Sequence, residues 1–137
     1  MLSLGVDVGG SSPPHCTALG KAILAFLPQD ECLSVMDQLH FAARTPRTIT
    51  RKAVFMKELK TIRERGYSVD NEEFERGLKS FGAPVRNYSG KVVAAISVAG
   101  PAFRLTKANS ARINSIVTQT ANELSAELGF RSLSGKV

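Results

Sequence analysis

The run KVVAAISVAG at 91–100 is nearly continuous in apolar residues. Strict alternation of apolar and polar residues is typical of a strand with one solvated face, whereas a continuous run favours a strand covered on both faces. Pro101 follows directly and has no backbone N–H to extend a ladder, so we expect the strand to end there. The chain therefore needs a central strand with other elements packed on either side of it.

The rest of the sequence supplies those elements. Strand patterns occur at 2–8, in the short run YSVD, and at 79–86, which the turn NYSG at 87–90 joins to the apolar run. Helical periodicity predicts four helices: one capped by Thr17 and stopped by Pro28, one over 29–39, one over 51–65 capped by Thr50, and one over about 107–128. The last helix has an apparent apolar stripe of Ile113, Ile116, Val117, Thr120, Leu124 and Leu128. This pattern predicts one α/β domain, more closely α+β, with a mainly antiparallel sheet of three or four strands flanked by helices.

Charge, cysteine spacing and hydropathy exclude several classes of function. The net charge of +6 is spread along 137 residues without a basic block, which argues against a nucleic-acid surface. The two cysteines have no metal-ligand spacing, no apolar stretch is long enough to span a membrane, and the start lacks a signal peptide, so we expect a cytoplasmic protein. His15 and His40 have no evident nucleophile to activate, so the sequence predicts no enzyme, no metal site and no cofactor.

Two stretches suggest other chemistry. The turn Asp7-Val8-Gly9-Gly10 resembles the phosphate-binding hairpin of actin-like kinases and ATPases, which gives an alternative function as a nucleotide-binding fragment. The stretch GYSVDNEEFERG at 66–77 concentrates four carboxylates, but it lacks the alternation of a calcium loop. We expect Glu72, Glu73 and Glu75 to form a solvated turn. Asp70 directly follows the β-prone run and is the carboxylate that we expect in a binding site.

Three stretches together resemble a known family. PPHCTALGKAILAFLP at 13–28, the segment 62–101 and the long final helix are similar to the C-terminal effector-binding domain of IclR-type bacterial transcriptional regulators. The resemblance runs from about residue 8 to residue 130. It implies a GAF/PAS-like domain, with a central antiparallel sheet between helices, that binds a small organic acid or aromatic catabolite without catalysis. It also implies a homo-oligomer, either a dimer or a tetramer.

The resemblance also implies site residues, which are Ala18, Leu19, Asp70, Ser80, Ser97 and Ala99. Two of them depart from the family pattern, because Ser80 stands where a Cys is usual and Ala99 where a second Ser is usual. A lost hydroxyl removes one donor and one acceptor, so we expect a site suited to a less polar or differently shaped effector.

The family joins this domain to a winged helix-turn-helix, which this sequence does not contain. We expect the N-terminal part of the effector domain to be missing as well, with 1–7 as an atypical segment within a single domain 1–137. DNA binding by these residues is therefore not expected. Self-association could cover an open sheet edge, and a ligand-free dimerisation remnant remains an alternative.

Overall fold

The computed structural model describes residues 3–7, as backbone, and residues 13–131. The glycine turn at 8–10 therefore lies outside the described residues. The elements in chain order are β1 (Ser3–Asp7), α1 (Ala18–Ala25), α2 (Gln29–Gln38), α3 (Lys52–Arg65), β2 (Ser68–Asn71), β3 (Leu78–Arg86), β4 (Val92–Pro101) and α4 (Lys107–Glu127).

The four strands form one antiparallel sheet in the order β1-β4-β3-β2. The apolar run forms β4 in the interior of this sheet, where Ala94, Ala95, Ile96 and Ser97 are all buried, although they point alternately to opposite faces. The predicted central strand, covered on both sides, is therefore confirmed. The strand, predicted over 91–99, spans Val92–Pro101 and so includes the proline that was expected to end it.

Helices cover both faces of the sheet. On one face, α4 packs Ile113, Val117 and Ala121 against Phe81 and Ile96. On the other face lies α1, whose first turn comes so close that a Cβ on Gly82 would be 2.8 Å from the Ala18 carbonyl oxygen. A second apolar cluster joins α1 to α2 and α3 through Leu24, Cys32, Met36, Phe55, Leu59 and Ile62. The predicted fold class, a central antiparallel sheet flanked by helices, is confirmed.

The helix ends mostly follow the local signals. The Thr17 hydroxyl accepts a hydrogen bond from the Gly20 N–H at 3.1 Å, which is the predicted cap, and Gly66 ends α3 with a φ of 91°. The cap predicted at Thr50 is wrong. The N-cap of α3 is Arg51, whose side chain makes no capping bond.

The buried stripe of α4 also differs from the prediction. Ile116, Leu124 and Leu128 are 49%, 37% and 48% exposed, whereas the helix buries Ile113, Asn114, Val117, Ala121 and Ser125. In its second half, the small residues Ala121 and Ser125 let the helix approach β3, where the Ser125 hydroxyl accepts a hydrogen bond from the Arg86 N–H at 2.9 Å. None of the helices in the described part of the chain combines the length and hydropathy needed to cross a bilayer.

Candidate functional site

Small and polar residues form two rows across the sheet beneath the first turn of α1. In the strand register, Ser68 lies opposite Gly82, and Gly82 lies opposite Ser97. The next row on the same face consists of Asp70, Ser80 and Ala99. The register therefore brings four of the six predicted site residues to one face, with Ala18 above Gly82 and with Leu19, partly exposed, next to Ala18 in the helix.

Asp70 is the carboxylate of this face and is 2% exposed. Its Oδ1 accepts the backbone N–H of Glu73 at 2.8 Å, and its Oδ2 accepts the Ser80 hydroxyl at 3.3 Å. Burial raises the pKa of Asp70 to about 6, because the charged form loses its hydration. The Glu73 N–H opposes that rise, whereas the Glu73 carboxylate adds to it. Asp70 can therefore change its charge near neutral pH.

Lys21 is a buried cation that the sequence analysis did not identify. Its side chain is fully buried, and Nζ donates to Glu58 Oε2 and Glu73 Oε1, both at 2.9 Å, and to the Val69 carbonyl. The sequence did contain a signal for it. Lys21 lies three residues after Ala18 and four before Ala25, on the buried side of α1.

Lys21 also explains why one prediction about the acidic turn is wrong. Glu73 is only 7% exposed, since Lys21 binds its Oε1 and the Asn71 N–H binds its Oε2. The other two glutamates differ from it. Glu72 is partly exposed, has a φ of 57°, and accepts the Gly77 N–H, whereas Glu75 is exposed as predicted.

A second loop holds the backbone of this turn in place. The Thr45 hydroxyl donates to the Glu72 carbonyl at 2.7 Å, and the Thr48 hydroxyl donates to the Glu73 carbonyl. Both threonines are buried. The turn that positions Asp70 and Glu73 is therefore fixed from two sides, by α1 through Lys21 and by residues 45–48.

Three further buried residues lie at or next to the start of α1. The Ser68 hydroxyl, fully buried, donates to the Ala18 carbonyl at 2.6 Å and so joins β2 to the helix. His15 Nε2 lies 2.9 Å from the Ala42 carbonyl, which can only accept, so Nε2 carries the proton. Cys16 is fully buried, and burial together with the nearby Asp70 charge raises its pKa to about 11. His15 and Cys16 are therefore both buried next to the start of α1.

A cavity of about 610 Å³ lies on the opposite side of the sheet, along α4. Its walls include Arg65, Tyr67, Asn114 and Thr118, and none of the six predicted site residues lines it. Asn114 is 9% exposed, and its Oδ1 has no hydrogen-bond partner among the described residues.

Within the residues that the structure describes, no group of three His, Cys, Asp or Glu side chains is arranged to hold a metal ion.

Comparison with known proteins gives one consistent result. The family described as "Bacterial transcriptional regulator IclR C-terminal" matches residues 1–126, a range that includes the segment 1–7. The HTH-type transcriptional repressor AllR of Escherichia coli K12 is 34% identical over 132 residues, which is 96% of this chain and 49% of AllR. The chain thus spans about half the length of this curated relative.

Solved structures agree in fold. The Thermotoga maritima IclR structure superposes with a TM-score of 0.82 at 38% identity, over 85% of this chain and 47% of that one. The inducer-binding domain of the Acinetobacter transcription factor PobR, solved as a double mutant with 3-hydroxybenzoic acid, gives a TM-score of 0.76 at 28% identity. That match covers 83% of this chain and 66% of the PobR chain.

Proposed function

The chain belongs to the family of C-terminal domains of IclR-type bacterial transcriptional regulators, and we propose that it senses a small organic acid in the site beneath α1 without catalysing a reaction. The observation that carries this proposal is the pair of rows of small and polar residues on one sheet face, which ends in the buried Asp70. The PobR domain, which is an inducer-binding domain, has the same fold.

The first turn of α1 supplies the groups for a carboxylate. Thr17 caps the Gly20 N–H with its hydroxyl and the Lys21 N–H with its carbonyl. The N–H groups of Ala18 and Leu19 are the ones that an α-helix leaves without an internal partner at this position. Because these donors and the helix dipole favour an anion, we assign the effector carboxylate to Ala18 and Leu19.

The opposite end of the site supplies a carboxyl group and a shape constraint. We assign Asp70 a hydrogen bond with an effector hydroxyl, which can donate to the ionised carboxylate or accept from the protonated one, and the Ser80 hydroxyl donates to Oδ2. Ser97 lines the row under α1, while Ala99 offers a methyl group rather than a hydroxyl. The ligand class that fits is a small hydroxy acid, aliphatic or aromatic, with one apolar edge towards Ala99.

A thermal-shift screen tests this function. We expect 3-hydroxybenzoate, lactate or a related hydroxy acid to raise the melting temperature, since a ligand at 100 times its Kd adds about 2.7 kcal/mol of stability. ATP with Mg²⁺ is the comparison, because stabilisation by nucleotide would favour the Asp7–Gly10 alternative. If neither class has an effect, the domain is a ligand-free remnant.

A matched pair of variants locates the site. Ser97→Leu fills the row beneath α1 and should abolish the acid-induced shift. Ser115→Leu adds the same side chain to the wall of the 610 Å³ cavity and should leave the shift intact. The reverse result would move the effector site to the α4 side.

We also infer that the chain works as a cytoplasmic homo-oligomer and that it is not an enzyme. The exposed apolar residues of α4, Ile116, Leu124 and Leu128, support association with a second copy. Light scattering on the purified chain would give the oligomer mass directly. AllR is an HTH-type transcriptional repressor, but we propose only the sensing role for the residues described here.

A further inference from the structure

Carboxylates outnumber cations in the buried group around Asp70. Among the described residues, the fully buried cation next to this site is Lys21, and both Glu58 and Glu73 already bind its Nζ at 2.9 Å. Asp70 is the third carboxylate of the group. The Lys21 charge lowers the pKa of Asp70 through space, but none of the described cations forms an ion pair with it. Its partners are a backbone N–H and a hydroxyl.

The other elements packed around Asp70 do not correct the imbalance. The guanidinium of Arg44 lies over the Phe74 ring, and Arg44 itself is exposed. The Cys16 thiol is neutral at physiological pH, because burial raises its pKa to about 11. The His15 ring packs edge-on against Phe41 and donates through Nε2 to Ala42. A carboxylate ligand would therefore bring a further negative charge to a buried group that already has an excess of carboxylates.

We propose that the site takes up one proton from solvent for each carboxylate ligand that it binds, and that this proton resides on Asp70. The neutral carboxyl group then donates its O–H to the bound ligand, whereas the ionised form would repel it. No other bond forms or breaks. This inference rests on the proposed function, since it concerns the same site.

The geometry fits such a proton. Oδ1 keeps its bond from the Glu73 N–H in either protonation state, and Oδ2 is held only by a long bond from Ser80. A proton on Oδ2 therefore breaks the weaker of the two bonds, since the Ser80 hydroxyl can rotate away and leave the new O–H free to donate to the ligand. The pKa of Asp70, raised by burial to about 6, means that protonation near neutral pH needs only a modest gain from the ligand.

The consequence is selectivity by ligand charge. An ionised acid should bind more tightly as the pH falls towards the pKa of Asp70. A neutral ligand of the same shape that offers a hydroxyl donor should bind equally well or better when Asp70 is ionised. Asp70 would then be a specificity-determining residue that distinguishes acids from their amides through pH.

Calorimetric titration of the whole chain at pH 5.5, 6.5 and 7.5 tests this inference, with 3-hydroxybenzoate and 3-hydroxybenzamide as a charged and a neutral probe of one shape. We expect the Kd for the acid to rise about tenfold between pH 6.5 and 7.5, as the uptake of one proton requires. The amide should show no such rise. Repeating the titration in buffers of different ionisation enthalpy counts the protons taken up.

Two variants separate Asp70 from its neighbours. Asp70→Asn removes the ionisable group and should make the Kd for the acid independent of pH. Glu75→Gln removes an exposed carboxylate from the same turn and should keep the full pH dependence. If Asp70→Asn does not fold, NMR of the Asp70 carboxyl carbon in the unaltered chain replaces it. There, saturating 3-hydroxybenzoate should raise the titration midpoint.

The outcomes are distinct. If the acid binds with a Kd that does not change with pH, the proton inference is overturned and the sensing function stands. If neither probe nor any other small organic acid binds at millimolar concentration, the sensing function is overturned and the inference with it.

Discussion

Lys21 Nζ and Glu73 Oε1 lie 2.9 Å apart in a buried ion pair that joins α1 to the turn after β2. The two residues are 52 positions apart in the sequence. Removing one partner of such a pair leaves a buried charge without compensation, which is strongly destabilising.

Lys21→Met should therefore lower the free energy of unfolding by about 3–5 kcal/mol, as measured by urea denaturation. Lys52→Met is the matched control, because the Lys52–Asp37 pair has the same 2.9 Å distance, but its side chains are 50% and 71% exposed. Exposed ion pairs contribute about 0–1 kcal/mol to the free energy of unfolding. Equal effects of the two variants would show that the buried pair does not hold α1 in place.

Asp70→Asn should change how stability depends on pH. The folded-state pKa of about 6 lies above the ordinary pKa of 3.8 for an aspartate, so between these values the folded chain binds more protons than the unfolded chain. Ionisation of Asp70 therefore costs the wild type stability as the pH rises from about 4 to about 6, by about 3 kcal/mol. Relative to wild type, Asp70→Asn should gain that stability over the same range. A pH-independent difference in unfolding free energy between the two proteins would contradict this assignment.

Gly82→Ala tests the close approach of α1 to the sheet. The new Cβ would lie 2.8 Å from both the Ala18 carbonyl oxygen and the Ser68 hydroxyl, so the helix must move or the hydrogen bond between them must break. We expect a loss of about 1–3 kcal/mol, typical of overpacking, by thermal or urea unfolding. Ser80→Ala alters the same strand and face without adding volume, and it should lower the stability by less than Gly82→Ala does.

The Cys16 thiol should resist alkylation in the folded chain. Burial and the Asp70 charge raise its pKa to about 11, so at pH 8 only about one thiol in a thousand is ionised. Mass spectrometry after a brief exposure to iodoacetamide should find Cys16 unmodified in the native protein and modified in urea. Rapid labelling of native Cys16 would mean that the turn at 13–17 opens readily.

Local sequence signals predict most of the fold. The apolar run of β4, the NYSG turn and the helical periods depend on neighbouring residues, and the structure confirms them to within a few positions. The site face also follows, because strand alternation places 97 and 99 on one side. The family resemblance assigned Ser80 and Ala18 to the site.

The charge network and the buried side of α4 could not be predicted in the same way. The partners of Lys21 come from α3 and from the turn after β2, and no spacing in the sequence indicates that these meet. A run of glutamates next to Phe74 has the composition of a solvated turn, yet one of them is buried because a distant lysine faces it. On α4, hydropathy predicts that Ile116 and Leu124 are buried. Close packing against β3 instead buries the smaller Ala121 and Ser125.

Because Lys21 Nζ bonds to residues of α3, β2 and the turn after it, three segments remote in sequence share one side chain. Their backbone amides should consequently exchange with deuterium through a common opening event, rather than fraying separately. Any ligand that tightens the first turn of α1 would slow exchange in the middle of α3, because the Lys21 ammonium group and the apolar cluster connect the two helices.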